Sequence, residues 1–84
     1  MWKMTFTPRA RKDLLGIDKP VCRQIIKKLD SVLAAPEKSF EKLSGFNYHK
    51  LRAGDYRVIA YIDFAAHVVE IRRVGHRKNI YERL

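Results

Sequence analysis

Lys50-Leu51-Arg52-Ala53-Gly54-Asp55-Tyr56-Arg57-Val58-Ile59-Ala60-Tyr61-Ile62-Asp63 reads as two strands around a tight turn. Tyr56–Asp63 has the β-branched and aromatic composition of a strand. A short strand, Tyr48–Arg52, precedes it, and the glycine of Ala53-Gly54-Asp55 suits a primed hairpin turn. Downstream, Phe64-Ala65-Ala66 is a turn without glycine, which predicts a longer loop before the next strand, His67–Val74. Gly75 is expected to break that strand. Lys78–Leu84 then forms a last short helix turning Ile80, Tyr81 and Leu84 toward the body.

Upstream, Trp2, Met4 and Phe6 alternate with Lys3, Thr5 and Thr7, the period of a half-buried strand. Thr7 can cap a helix and Pro8 suits its first position. That helix runs to about Leu15 and ends at Gly16, a residue free to turn left-handed. Asp18 is a second cap, with Pro20 close behind. Val21, Ile25, Ile26, Leu29, Val32 and Leu33 recur at spacings of three, four and seven, an amphipathic helix that Pro36 stops. The two helices should form an antiparallel hairpin. Residues 37–47 read as a connecting loop anchored by Phe40, Leu43 and Phe46. The order β-α-α-β-β-β-α gives an α+β fold with a largely antiparallel sheet, as one domain over residues 1–84.

The 84 residues carry 18 Lys+Arg against 9 Asp+Glu, a net charge of +9. Residues 1–49 hold ten basic and five acidic groups, and residues 50–84 hold eight and four, so the excess belongs to the folded surface and not to a tail. Such a domain expects a polyanion or an acidic protein as partner. No apolar run reaches the roughly 18 residues of a membrane span, and the N-terminus lacks a signal-peptide core. The lone Cys22 excludes a disulfide framework within the chain. A reducing, cytoplasmic location is expected, with no membrane partner.

Strict alternation divides the later strands into faces. One holds Tyr56, Val58, Ala60 and Ile62, the other Arg57, Ile59, Tyr61 and Asp63. In the next strand Val68, Glu70, Arg72 and Val74 oppose His67, Val69, Ile71 and Arg73. Two helices cover only one side of a small sheet. Arginines near the strand ends, with Lys50 and Arg52, can therefore converge on a basic concave surface with tyrosines between them. Taken singly, each of these residues reads as a solvated surface group; their concentration on adjacent strands points to phosphate. The carboxylates are scattered, none paired at ligand spacing with a histidine, so no metal or other cofactor is expected. Cys22 and Trp2 read as packing residues. Lys27 and Lys28 read as the solvated face of their helix.

Lys50-Leu51-Arg52-Ala53-Gly54-Asp55-Tyr56-Arg57-Val58 and Arg73-Val74-Gly75-His76-Arg77-Lys78-Asn79-Ile80-Tyr81 closely resemble the RelE branch of the RelE/ParE toxin superfamily. Phe6-Thr7-Pro8-Arg9-Ala10 and Leu43-Ser44-Gly45 extend the resemblance over essentially the whole chain. It implies a toxin of a type II toxin–antitoxin system that cleaves messenger RNA in the A site of the ribosomal 30S subunit, without a metal. It also implies a cognate antitoxin, small and often acidic, whose helix wraps the toxin. ParE-like relatives share the fold but poison DNA gyrase, and typically lack the catalytic set. A member that only binds or regulates is a third reading, because Tyr48 stands where some relatives carry a lysine.

Carried over by position, the resemblance implies Lys50 as an active-site lysine with Arg52 beside it as a phosphate contact. It implies Arg57 for the scissile phosphate and Arg77 for leaving-group or phosphate stabilisation. Tyr81 is implied for base stacking or proton transfer. With Tyr48 at the lysine position, His76 and His49 are natural substitutes for proton transfer, since histidine alone titrates near working pH. His76 is expected among the catalytic groups. His49, Lys78 and Arg73 are expected among the RNA contacts. His67, at a turn, is expected to be inert.

Overall fold

A computed structural model of the protein describes residues 1–83. The chain runs β1 (Lys3–Phe6), α1 (Pro8–Leu15), α2 (Lys19–Val32), a 3-10 turn (Pro36–Lys38), β2 (Glu41–Lys42), β3 (His49–Ala53), β4 (Tyr56–Asp63), β5 (Val68–His76) and a second 3-10 turn (Ile80–Arg83). Five strands form one sheet in the order β1-β5-β4-β3-β2. β1 pairs with β5 in parallel, and every other pair is antiparallel. The α+β architecture is therefore the one its sequence implies.

One face of the sheet carries the core. Ala10, Ile25, Leu29 and Val32 from the helices meet Leu51, Val58, Ala60, Ile62, Val69, Ile71 and Val74 from the strands. At about 25 cal/mol per Å² of apolar surface buried, this layer is the main stabilising contribution. Phe40, buried at 5% exposure, closes it from the connecting segment. Phe46, expected as a second anchor there, is 45% exposed. Gly45, at φ +80, turns the chain away just before it.

The start of α1 is tied to β5. The Thr7 Oγ1 accepts the Ala10 N–H at 3.1 Å, as a cap does, and donates to the Arg72 carbonyl at 3.2 Å. The Thr7 N–H donates to the Ile71 carbonyl at 3.0 Å, so α1 continues along the edge of β5 where β1 stops. One turn on, Asp13 Oδ2 accepts the Val74 N–H at 2.9 Å. A backbone donor that would otherwise lie unpaired on a sheet edge is thereby satisfied by a helix side chain.

Four expectations give way to tertiary structure. Gly16 ends α1 at φ −87, not left-handed, its N–H bonded back to the Asp13 and Leu14 carbonyls. Asp18 precedes α2 but makes no side-chain cap bond. Gly75 does not break β5, which runs on to His76; the missing side chain instead makes room for Ile80. The last segment is a 3-10 turn and not an α-helix, with Ile80 buried and Tyr81 exposed. The expected inward turn of Leu84 lies outside the described residues. As anticipated, the β4–β5 connection is longer than a two-residue turn: Asp63 Oδ1 accepts the Ala65 and Ala66 N–H groups, and His67 takes φ +57.

Strict alternation also fails in β5. The register slips between Ile59 and Ala60, which pair with Arg73 and Ile71, leaving Arg72 as the extra residue of a bulge. Ile71 and Val74 both join the core as a result. Arg72 is thus not on the face of Val74, nor Arg73 on that of Ile71. Both arginines belong to the side without helices.

Candidate functional site

The helix-free side of the sheet is built in rows across three strands. Arg52 of β3 opposes Arg57 of β4, which opposes Gly75 of β5; one step on, Lys50 opposes Ile59, which opposes Arg73. Like charges facing each other across strands are unfavourable, so Arg52 opposite Arg57 costs stability. Among the described residues, Lys50, Arg52 and Arg57 form no ion pair with a carboxylate. With Lys28, Ser39 and Glu41 they line a groove of about 470 Å³ beside β3. Lys28 was not singled out for this groove, because a helix lysine in isolation carries no signal of what it faces.

The β3–β4 turn orients two guanidiniums. Gly54, at φ +62, lets the chain reverse in two residues. Arg57 Nη1 donates to the Gly54 and Tyr56 carbonyls, both at 2.9 Å. From β5, the Arg77 N–H donates to the Asp55 carbonyl at 2.8 Å, and its Nε lies 3.8 Å from Asp55 Oδ1. Both ends of that pair are half-exposed or more, so its value is positional and not energetic. Ile80 seats on Gly75, which opposes Arg57 in the register, and Tyr81 follows it in the 3-10 turn, exposed. Lys50, Arg52 and Arg57 thereby share one face of the sheet, with Arg77 tied to the turn between their strands.

Arg73 lies at the other end of the Lys50 row. Its Nε donates to Asp13 Oδ2 at 2.9 Å, with both side chains largely buried. The bulge places Arg72 next to it. Arg72 Nη1 donates to Glu70 at 2.8 Å, and its guanidinium lies 5.4 Å from the centre of the Tyr48 ring. This cation–π pair reaches from β5 across β4 and covers Ile59, which is fully buried although it lies outside the helix-side core. Sequence reasoning passed over Arg72. A pair of consecutive arginines inside an apolar strand was the available sign of a bulge.

His76 and His49 are not brought to this surface. His76 pairs with Tyr56 at a ring distance of 5.5 Å, and Tyr56 packs against the helix-side core. The His76 Nδ1 accepts the Lys78 N–H at 3.2 Å, which occupies Lys78 as a turn residue. His49 shares the inward side with Leu51. Its Nδ1 is buried without a hydrogen-bond partner, and its ring lies 5.9 Å from Phe64. Burial first, and the Lys42 ammonium second, lower its pKa below the usual 6.5. Strand alternation is the cause: each histidine sits one residue from a cation that faces the other way. His67 stacks on Trp2 at 4.8 Å. Among the described residues, no group of three His, Cys, Asp or Glu could hold a metal ion, and no helix is long and apolar enough to cross a membrane.

The family whose members are described as the ParE toxin of the type II toxin-antitoxin system parDE matches residues 4–81. The chain belongs to the RelE/ParE toxin family. It is a toxin of a type II toxin–antitoxin system, RelE-like in structure. The toxin superposes on that of the intact E. coli RelBE toxin–antitoxin complex with a TM-score of 0.74 at 31% identity, covering 90% of this chain and 96% of that one. For the isolated E. coli RelE toxin the values are 0.74 and 30%, with 98% and 93% covered. The toxin of the Mycobacterium tuberculosis RelBE2 complex gives a TM-score of 0.81 at 24% identity over 90% and 98%, a likeness of fold. No curated protein matches the toxin.

Proposed function

We propose that the toxin is a metal-independent endoribonuclease that cleaves messenger RNA held in the ribosomal A site. The observation that carries this reading is the cluster of Lys50, Arg52 and Arg57, without ion-pair partners among the described residues, joined to Arg77 through the β3–β4 turn. Cations kept together against their own repulsion suit a phosphate-bearing strand, whose oxygens take paired N–H donors. Their hold strengthens as charge gathers on those oxygens in the transition state.

In the proposed reaction the 2′-oxygen of one nucleotide attacks the adjacent phosphorus while the bond to the 5′-oxygen breaks. The products are a 2′,3′-cyclic phosphate and a 5′-hydroxyl. Arg57 and Arg77 hold the non-bridging oxygens, and Arg52 holds a neighbouring phosphate. One proton must leave the 2′-hydroxyl and one must reach the 5′-oxygen. Of the nine residues expected at the site, Lys50, on β3 beside these arginines, and Tyr81, exposed in the last turn, carry transferable protons, and the two transfers are assigned to them as a pair. A cognate antitoxin is proposed as the neutralising partner: relatives of this fold are known as RelBE complexes, and an acidic protein matches a charge of +9.

The family description, which names ParE, favours a second reading in which the toxin inhibits DNA gyrase and leaves RNA intact. Mapping messenger RNA 5′ ends in a translation reaction separates the two. The wild type is expected to cut at A-site codons, and Arg57→Ala and Arg77→Ala to lose those cuts while keeping wild-type thermal stability within a few degrees. Intact RNA with folded wild-type toxin would reject the nuclease and send the toxin to a gyrase supercoiling assay.

A further inference from the structure

A second concave region lies on the helix-free side, between the first turn of α1 and the strap formed by Arg72 and Tyr48. It encloses about 460 Å³ and is lined by Thr7, Arg9, Tyr48, Arg72 and Arg73 with Ile59 at its base. We propose that this pocket holds the nucleotide of single-stranded RNA that flanks the cleaved one, its base against Tyr48 and its phosphate toward Arg9 and Arg73. The inference rests on the nuclease reading above and adds a specificity subsite to it.

Size, charge, aromatic character and position each support this occupant. The volume falls within the range of small-molecule sites and admits one nucleotide. Three arginines meet here, and the carboxylates beside them, Asp13 and Glu70, number two. The Arg9 contact to Asp13 is 3.9 Å with Arg9 56% exposed, too long and too open to occupy its donors. The Arg72 guanidinium commits Nη1 to Glu70 and lies over the Tyr48 ring, an aromatic group on which a base can stack. Finally, Arg73 and Lys50 flank Ile59 in one row while Arg57 and Arg52 occupy the next. Rows two residues apart along a strand lie about 6.6 Å apart, comparable to the step between successive phosphates of an extended strand. A strand whose scissile phosphate rests on Arg57 therefore brings its neighbour to this pocket.

The test uses an RNA trinucleotide whose first and central residues are both 2′-deoxy, so that neither linkage can be cleaved, titrated into the isotope-labelled full chain and followed by nuclear magnetic resonance. The Tyr48 ring and the Arg9 and Arg72 side-chain signals should shift. Affinity should fall roughly tenfold in Tyr48→Ala and in Arg9→Gln, the size expected for losing one base stack or one phosphate contact. Tyr48→Phe, which keeps the ring, should bind as the wild type does and guards against a folding defect. In the ribosomal reaction, Tyr48→Ala should still cut but with relaxed base preference at the flanking position. Wild-type affinity in both Tyr48→Ala and Arg9→Gln would overturn the subsite, as would inorganic phosphate reproducing all the shifts. So would pocket signals that respond to an acidic peptide and not to the trinucleotide. The parent reading fails differently: the wild type then cuts nothing, whatever the trinucleotide does.

Discussion

Replacing Asp13 should destabilise the toxin more than replacing any other exposed or half-exposed acidic residue. Its carboxylate joins α1 to the bulged part of β5 by accepting from both the Val74 N–H and Arg73 Nε, each at 2.9 Å. The carboxylate is 14% exposed and the Arg73 side chain 20%, so water replaces neither bond well. In Asp13→Ala the Val74 N–H loses its acceptor at a cost of about 1–3 kcal/mol, and the charge-assisted bond to Arg73 is lost as well. A combined loss of about 2–4 kcal/mol is expected. For a domain of this size each kcal/mol moves Tm by about 4–8 °C, so the midpoint should fall by at least about 8 °C. Asp13→Asn retains an oxygen for the Val74 N–H and should recover about half of the loss. Thermal and urea unfolding followed by circular dichroism measure both variants, with Asp18→Ala, which removes no cap bond, as the control. Hydrogen exchange adds a local readout: the Val74 amide should lose protection in Asp13→Ala before Val58 does. A Tm for Asp13→Ala within about 2 °C of wild type, or an unchanged Val74 amide, would refute the edge-covering role.

Three further outcomes follow from the same geometry. A Cβ at Gly75 would stand 2.9 Å from Ile80 Cδ1, so Gly75→Ala should cost about 1–3 kcal/mol by overpacking. Gly75→Ala with Ile80→Val should recover part of that in the same unfolding assay, and additive losses would refute the contact. Arg52→Gln removes a like charge opposite Arg57 and should stabilise the fold by about 0.2–1 kcal/mol. The same variant should bind RNA more weakly, with a salt dependence shallower by about one ion, and an unchanged salt slope would remove Arg52 from the interface. His49 has a folded pKa below 6.5, so the unfolded chain takes up its proton first as pH falls. Its contribution is full above pH 6.5, is lost as pH drops from there to the folded pKa, and is constant below. Tm measured between pH 7.5 and 5 should therefore decline less steeply in His49→Leu, and parallel curves would show that His49 is not the group responsible.

Local signals located most of the secondary structure. Tyr56–Asp63 matches its expected bounds because a central strand with both neighbours paired must be apolar and β-branched along its length. Thr7-Pro8 fixed the start of α1 because a cap is a property of adjacent residues. What sequence reading missed depends on distant partners. β2 is only Glu41–Lys42, too short to carry a period, and exists because β3 offers it an edge. Beyond the bulge at Arg72, the Val74 N–H is satisfied by Asp13, sixty-one residues earlier, and alternation alone cannot reveal that. Gly75 illustrates the ambiguity of glycine within a strand, which marks either a break or a close approach; here it is the approach of Ile80. The cations of the site were legible as a group because they recur on adjacent strands. Alternation already suggests an inward His49 beside Lys50, whereas the side taken by His76 depends on the bulge that precedes it.

The parallel pairing of β1 with β5 joins Lys3 to Val68, sixty-five residues apart. Closing so long a loop is entropically slow, and contacts of this kind lower folding rates. During synthesis the first strand and the whole of the helical layer emerge before the strand they must meet. The hairpin of β3 and β4 can form by itself, but Arg73, Gly75 and the seat for Ile80 are made last. A chain still short of β5 therefore has the cations of one half of the surface and none of the frame that brings them to the other. The toxin acquires its basic face in a single step, when β5 joins the sheet.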